Sequence, residues 1–210
     1  MAIDQGLRAR KKQQTRETIS HRATELFLER GFDNVTIAEV AAAAEVSKMT
    51  VTNYFPRKED LALDHGDVFA AGLARTVAER APGESAHAAL HRAYRAAAAA
   101  CDPVAGFSGR PFAAMIAGSP ALRARLRELH DERENALARA LAEATGAAPD
   151  GLAPRVAAAQ LAGVHRVLFE ETQRRTLAGQ DDAAIAAALA DEVDRAFAAL
   201  APGLAGYAVR

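Results

Sequence analysis

Between Lys48 and Lys58 the chain sets Lys48, Met49, Thr50, Thr52, Asn53 and Tyr54 on the outer side of a short helical repeat, with Val51 and Phe55 facing inward. These side chains suit recognition better than bond breaking. Asparagine can pair bidentately with adenine, and a threonine methyl can pack on that of thymine. Each good base contact is worth about 1–3 kcal/mol of discrimination. Thr36, Tyr54 and Lys58 suit phosphate, the first and last because they open helices whose free N–H groups favour anions. A helix of this kind, joined by a tight turn to the one before it, is built to enter a DNA major groove.

Other chemistry is poorly supported. His87 and His91 are four residues apart on an expected helix, a spacing that zinc can use, but no third ligand or cysteine pair accompanies them. Ser108 lies in Gly106-Phe107-Ser108-Gly109, which is not a nucleophile elbow. Asp181-Asp182 reads as a helix cap. The expectation is no catalytic residue, no metal and no cofactor.

The elements that must hold the recognition surface can be read locally. A first helix carries Ile19, Ala23, Leu26, Phe27 and Arg30 as one stripe and stops at Gly31. Residues 1–14 before it are expected to form a flexible basic arm, with Arg8, Arg10, Lys11 and Lys12 and then Arg16. Thr36 and Glu39 have capping-box spacing, so a second helix starts after Thr36 and buries Ile37, Val40, Ala41 and Ala44. Ser47 caps the third helix and Pro56 ends it. A fourth begins near Lys58, with Glu59 and Asp60 in its first turn, and is expected to run on unbroken beyond residue 65. Later helices are expected over 84–101, 103–117, 119–145, 152–178 and 182–201, separated by proline and glycine breaks.

Composition bounds the class. Half of the 210 residues are hydrophobic, mostly alanine, and only 5% are aromatic, which argues for an all-α protein of closely packed helices. No run matches the ~18 apolar residues of a membrane span. The single cysteine suits a reducing compartment, and the polar start lacks the apolar core of a signal peptide, so a cytoplasmic location with no membrane partner is expected. A net charge of −1 disfavours non-specific architectural DNA binding and leaves the local basic clusters to do the work.

The string ELFLERGFDNVTIAEVAAAAEVS, followed by a helix ending in NYF and then PRKEDL, resembles the DNA-binding domain of TetR-family transcriptional regulators. The resemblance covers about the first 65 residues. It implies an N-terminal helix-turn-helix head of three helices, residues 1–64, and a C-terminal helical bundle, residues 65–210, that dimerises and binds a small effector. It also implies a homodimer on a palindromic double-stranded operator, most simply a repressor released by that effector. Three positions depart from the family pattern. Glu45 stands where glycine is common, which predicts a somewhat different turn. Thr52 stands for a frequent tyrosine, and Arg57 for a small polar cap.

Within the implied bundle, an apolar pocket with a few polar groups could draw on Tyr94, Phe107, Phe112, Met115 and Ile116, with His130, Glu134, Gln160 and His165 as the polar set. Gln160, on an Ala- and Val-rich face, is the strongest polar candidate. The last two helices offer a dimer face of Val156, Gly163, Val167, Ile185, Leu189, Val193 and Phe197, or those faces close the monomer's own core. The competing reading is a helical small-molecule-binding protein or enzyme whose N-terminal helices form a lid. It leaves the polar, basic face of the third helix unexplained.

Overall fold

The computed structural model describes the backbone of residues 2–210 and the side chains of residues 10–210. Its helices are α1 (Ala2–Arg30), α2 (Ile37–Ala43), α3 (Lys48–Tyr54), α4 (Lys58–Ala62), α5 (Gly66–Ala78), α6 (Ala86–Ala99), α7 (Arg110–Gly118), α8 (Pro120–Thr145), α9 (Leu152–Leu177) and α10 (Asp182–Leu204). Among the described residues β pairing is confined to one isolated bridge between Ser85 and Val209. The chain divides into two compact units. One holds Met1–Gly66 with Met115–Arg125; the other holds Asp67–Ala114 with Leu126–Arg210.

In the first unit, Ile19, Ala23 and Phe27 of α1 are buried with Phe32, Val35, Val40, Val51, Phe55 and Leu61. The caps lie where the local sequence puts them. Thr36 and Glu39 form a complete capping box on α2, and the Ser47 hydroxyl accepts from Thr50 N–H at the start of α3.

Two expectations fail here. The arm over residues 1–14 is helical from Ala2, because no proline interrupts a run rich in alanine, glutamine and arginine. The side chain of Arg8 lies outside the described residues. The fourth helix is not continuous either: α4 ends at Ala62 and α5 starts at Gly66. Leu63 leaves the helix at φ −106°, ψ 49°, while Arg16 donates to the Asp64 carbonyl at 2.8 Å and Ser20 to the Asp64 carboxylate at 2.5 Å. Hydrogen bonds from α1 hold the break open, a long-range cause invisible in the local sequence.

The second unit is a helical bundle whose core includes Leu73, Val77, Leu90, Tyr94, Leu137, Leu141 and Leu161. Ile185, Leu189, Val193 and Phe197 of α10 are fully buried in this same core. Their side chains close the monomer and are not free to face a second copy, which corrects that half of the expected dimer face. The helix expected over 103–117 is split. Asp102 caps a single turn at Pro103–Ala105, Gly106 turns left-handed at φ 100°, and α7 starts only at Arg110. A Cβ at Gly106 would meet the Phe169 carbonyl at 2.8 Å, so α9 passes too close for any side chain there. The C-terminus is pinned: buried Arg80 donates to the Ala208 carbonyl at 3.1 Å, and Arg210 donates to the Arg80 carbonyl at 2.6 Å.

Candidate nucleic-acid interface and effector site

The turn between α2 and α3 sets the direction of the recognition surface. Glu45 occupies it at φ 55°, with its own N–H bonded to the Ala42 carbonyl and Val46 N–H to the Ala41 carbonyl at 2.9 Å. This is the Schellman closure that glycine normally serves. The different turn expected from Glu45 does not occur; the glutamate adopts the glycine geometry.

Beyond the turn, Val51 and Phe55 anchor α3 inward, and Lys48, Met49, Thr52 and Asn53 are exposed, Met49 at 72%. Thr50 and Tyr54 are half-buried. The Thr50 hydroxyl lies 2.8 Å from that of Ser47, and the Thr52 hydroxyl donates to the Met49 carbonyl at 3.1 Å, leaving the threonine methyls for apolar contact. The Thr36 hydroxyl is engaged by Glu39, whose carboxyl is held below its usual range by the Thr36 backbone N–H and then by that hydroxyl. Lys11 joins Gln14, Thr15 and Thr18 along a groove of about 290 Å³ beside Ala44 and Val46 of the turn.

Lys58 behaves otherwise than expected. Its ammonium donates to the Phe32 carbonyl at 2.5 Å and sits 4.3 Å from the Phe32 ring centre, and burial pushes its pKa down. It ties α4 to the end of α1 instead of presenting charge to phosphate. Arg16, counted with the basic arm, is likewise structural. It donates to the Tyr54 carbonyl at 3.0 Å and stacks over Phe55 at 4.4 Å. The same unit takes in the α7–α8 turn, where Ser119 donates to Asp33 at 3.1 Å and Arg125 pairs with Asp60 at 2.8 Å.

In the second unit, three of the expected effector residues come together. Tyr94 on α6 and His165 on α9 are buried with ring centres 5.0 Å apart. His130 on α8 packs edge-on against Phe69 at 5.1 Å and Phe169 at 5.3 Å. The others do not join them. Met115 and Ile116 belong to the first unit, Phe107 is buried in the bundle core, and Phe112 and Glu134 are half-buried. Gln160 is exposed on α9, which corrects its choice as the leading polar candidate: the inward stripe of α9 runs through Leu161, His165 and Leu168.

The residue the sequence reading missed is Arg133, 4% exposed on α8. A signal existed. Leu129, Leu137 and Leu141 repeat at intervals of four and eight, and position 133 completes their stripe, so its arginine must face the core. Its Nε and Nη1 are buried without a hydrogen-bond partner, as are Nε2 of His130 and both ring nitrogens of His165. The guanidinium lies 4.2 Å from the Phe69 ring centre. Burial lowers its pKa to about 10. It also lowers His130 to about 4 and His165 well below the usual histidine range, with Arg133 adding to both. Both histidines are therefore neutral at physiological pH. The zinc-spaced pair is committed elsewhere: His87 Nε2 meets the Phe197 carbonyl at 2.8 Å, and His91 Nε2 meets Asp194 at 2.7 Å. Among the described residues no cluster of metal-ligating side chains forms.

A capped helix-turn-helix head with an exposed polar recognition helix, on a chain that carries a separate helical bundle, defines a DNA-binding transcriptional regulator. Comparison with known proteins names the family. Residues 19–64 match the model of the bacterial regulatory proteins of the tetR family, and residues 84–205 match the MftR C-terminal domain model. The chain is 31% identical over 172 residues to the HTH-type transcriptional regulator TcmR of Streptomyces glaucescens, covering 79% of this chain and 76% of that one. The chain belongs to the tetR family. Its fold is that of NalD of Pseudomonas aeruginosa, the secondary repressor of the MexAB-OprM multidrug efflux pump, at TM-score 0.55 and 20% identity over 88% of this chain and 97% of that one. GusR of Salmonella enterica matches at TM-score 0.51 and 18% identity, over 88% and 95% of the two chains. Among the described residues no helix is long and apolar enough to cross a membrane.

Proposed function

We propose that this regulator is a homodimeric repressor that reads a palindromic operator through α3 and is released when a small effector binds in the second unit. The observation that carries the reading is the surface of α3. Lys48, Met49, Thr52 and Asn53 are exposed side by side, and the inward anchors Val51 and Phe55 fix the direction in which they point. Lys48 supplies the phosphate-seeking charge, and Asn53 with the threonine methyls supplies base discrimination. Two heads on successive major grooves require half-sites about 34–36 Å apart. NalD, a repressor by its description, shares the fold and so supports the sign of regulation.

Dimerisation is supported by the outward stripe of α9. Leu152, Val156 and Val167 are exposed there, and a Cβ added at Gly163 would meet nothing, so a second helix could approach closely. For release, the effector must bind the DNA-incompetent state more tightly than the competent one; otherwise it shifts no population.

The test is selection of bound fragments from a genomic library by purified protein at near-physiological salt, followed by titration of the selected site. The wild type should enrich a palindrome with half-sites one helical turn apart. Lys48→Ala with Asn53→Ala should weaken that site at least tenfold while the protein stays folded. Undiminished affinity in the double variant would remove α3 from the interface.

A further inference from the structure

Arg133 is the strangest group in the molecule. It is buried in the second unit, two of its nitrogens have no partner, and the group that favours its charge is the Tyr94 hydroxyl rather than a carboxylate. A core guanidinium with two nitrogens left unpartnered is destabilising, and stacking on Phe69 does not satisfy them. Its surroundings are rings: Phe69 on α5 lies against it, His130 packs on Phe69 and Phe169, and Tyr94 packs on His165. We propose that the effector is an apolar organic acid, its anionic oxygens received by the unpaired nitrogens of Arg133 and its hydrocarbon body by the ring cluster between α5, α6, α8 and α9.

The chemistry narrows the ligand class from both sides. A cation would meet a like charge in a low-dielectric site, and a neutral compound would leave the guanidinium unpaired. A sugar would lose its hydration against phenyl rings. An oxyanion on an apolar body answers both demands, and Arg holds carboxylates and similar groups through several donors at once. The neutral imidazoles add one N–H donor each, from His130 and His165, without competing for the anion as charged groups would.

This inference rests on the effector-released reading, and it gives that reading a physical link. α8 is one helix from Pro120 to Thr145, and it carries both Arg125, paired with Asp60 in the first unit, and Arg133 eight residues further on. A helical rise of 1.5 Å per residue puts these two arginines about 12 Å apart along the axis. The helix that carries the acid site is thus the one whose first turns pair with Asp60.

Two dyes with the same ring system test the proposal on the full-length protein: anionic 1-anilinonaphthalene-8-sulfonate and neutral N-phenyl-1-naphthylamine, each titrated by fluorescence. The sulfonate should saturate one site per chain and bind at least tenfold tighter than the neutral dye. Arg133→Met should lose at least tenfold of sulfonate affinity, leave the neutral dye within twofold, and melt no lower than wild type. Arg133→Lys should retain the preference for the sulfonate. Equal affinity for the two dyes, absence of saturable sulfonate binding, or sulfonate binding unchanged in Arg133→Met would overturn the acid site. So would an Arg133→Met protein that fails to fold, since the arginine would then be structural. Binding of the selected DNA, measured on the same preparations, separates the two failures. Intact DNA binding with no sulfonate preference removes only the acid, whereas sulfonate binding without any DNA binding removes the regulator reading beneath it.

Discussion

At the scale of single residues, the chain keeps a cost in its recognition motif. Four helix ends close with the same pair of hydrogen bonds, and the left-handed position is Gly146 or Gly179 at two of them. At the other two it is Glu45 and Cys101, which carry a Cβ into a conformation that glycine adopts freely. A left-handed non-glycine residue costs roughly 1–2 kcal/mol, partly offset by the looser unfolded chain a glycine would bring. The Glu45 side chain is exposed. Glu45→Gly should therefore raise stability by about 1 kcal/mol in urea unfolding, with α3 unmoved. A variant no more stable than wild type would mean that the strain is relieved in a way the backbone angles do not reveal. The same scale explains the place of Lys58. Its sequence position at a helix start suggests phosphate, but the decisive fact is the Phe32 carbonyl and ring, twenty-six residues away.

At the scale of elements, the head was legible and the body only in outline. Thr36 with Glu39, Ser47 and Pro56 act within three or four residues of themselves, so the limits of α2 and α3 follow from the local string. The break at Leu63 and the left-handed Gly106 were not readable, because Arg16 and the backbone of α9 cause them from a distance. The candidate site divides in the same way. Its ring residues His130, His165 and Tyr94 stood out by type, while Arg133 was hidden among surface-like charges on α8.

Helix packing at this site also sets a pH dependence. Phe69 of α5 and Phe169 of α9 enclose His130, with Arg133 and Arg166 as the charges that face it. Its folded pKa of about 4 lies below the unfolded value near 6.5, so between those values the unfolded chain binds the extra proton. Stability is then full above about pH 6.5 and falls as pH drops toward 4, by about 1–3 kcal/mol from His130. His165, pushed in the same direction, adds to the fall. Carboxylates such as Glu171, held down to about 2 by its hydrogen bond to Arg174, act at lower pH and leave this window to the histidines. His130→Phe keeps a ring between the two phenylalanines and should make the fall in melting temperature between pH 6.5 and 4.5 shallower, leaving the part due to His165. Parallel curves for the variant and wild type would place the acid sensitivity elsewhere.

At the scale of the whole molecule, the question is what the outward face of α9 does. Leu152, Val156, Gln160, Gly163 and Val167 recur at intervals of four, four, three and four, the stripe of a helix that packs against another. Val167 is 57% exposed and Leu152 74%, a stripe that the proposed second copy would cover. The α10 residues Ile185, Leu189, Val193 and Phe197 are in the monomer core, so a test can strike the proposed dimer face on α9 without touching the fold. Val156→Asp with Val167→Asp puts two carboxylates on that stripe while every buried position of α9 stays as it is. The variant should sediment as a monomer with the helix content of wild type. Each monomer then brings one head to one half-site, so the phosphates neutralised are halved. The slope of log affinity against log salt should fall to about half, with the operator bound many-fold more weakly. If the variant still sediments as a dimer, another surface joins the two copies; if it is monomeric yet keeps the full salt slope, one chain alone must cover the operator.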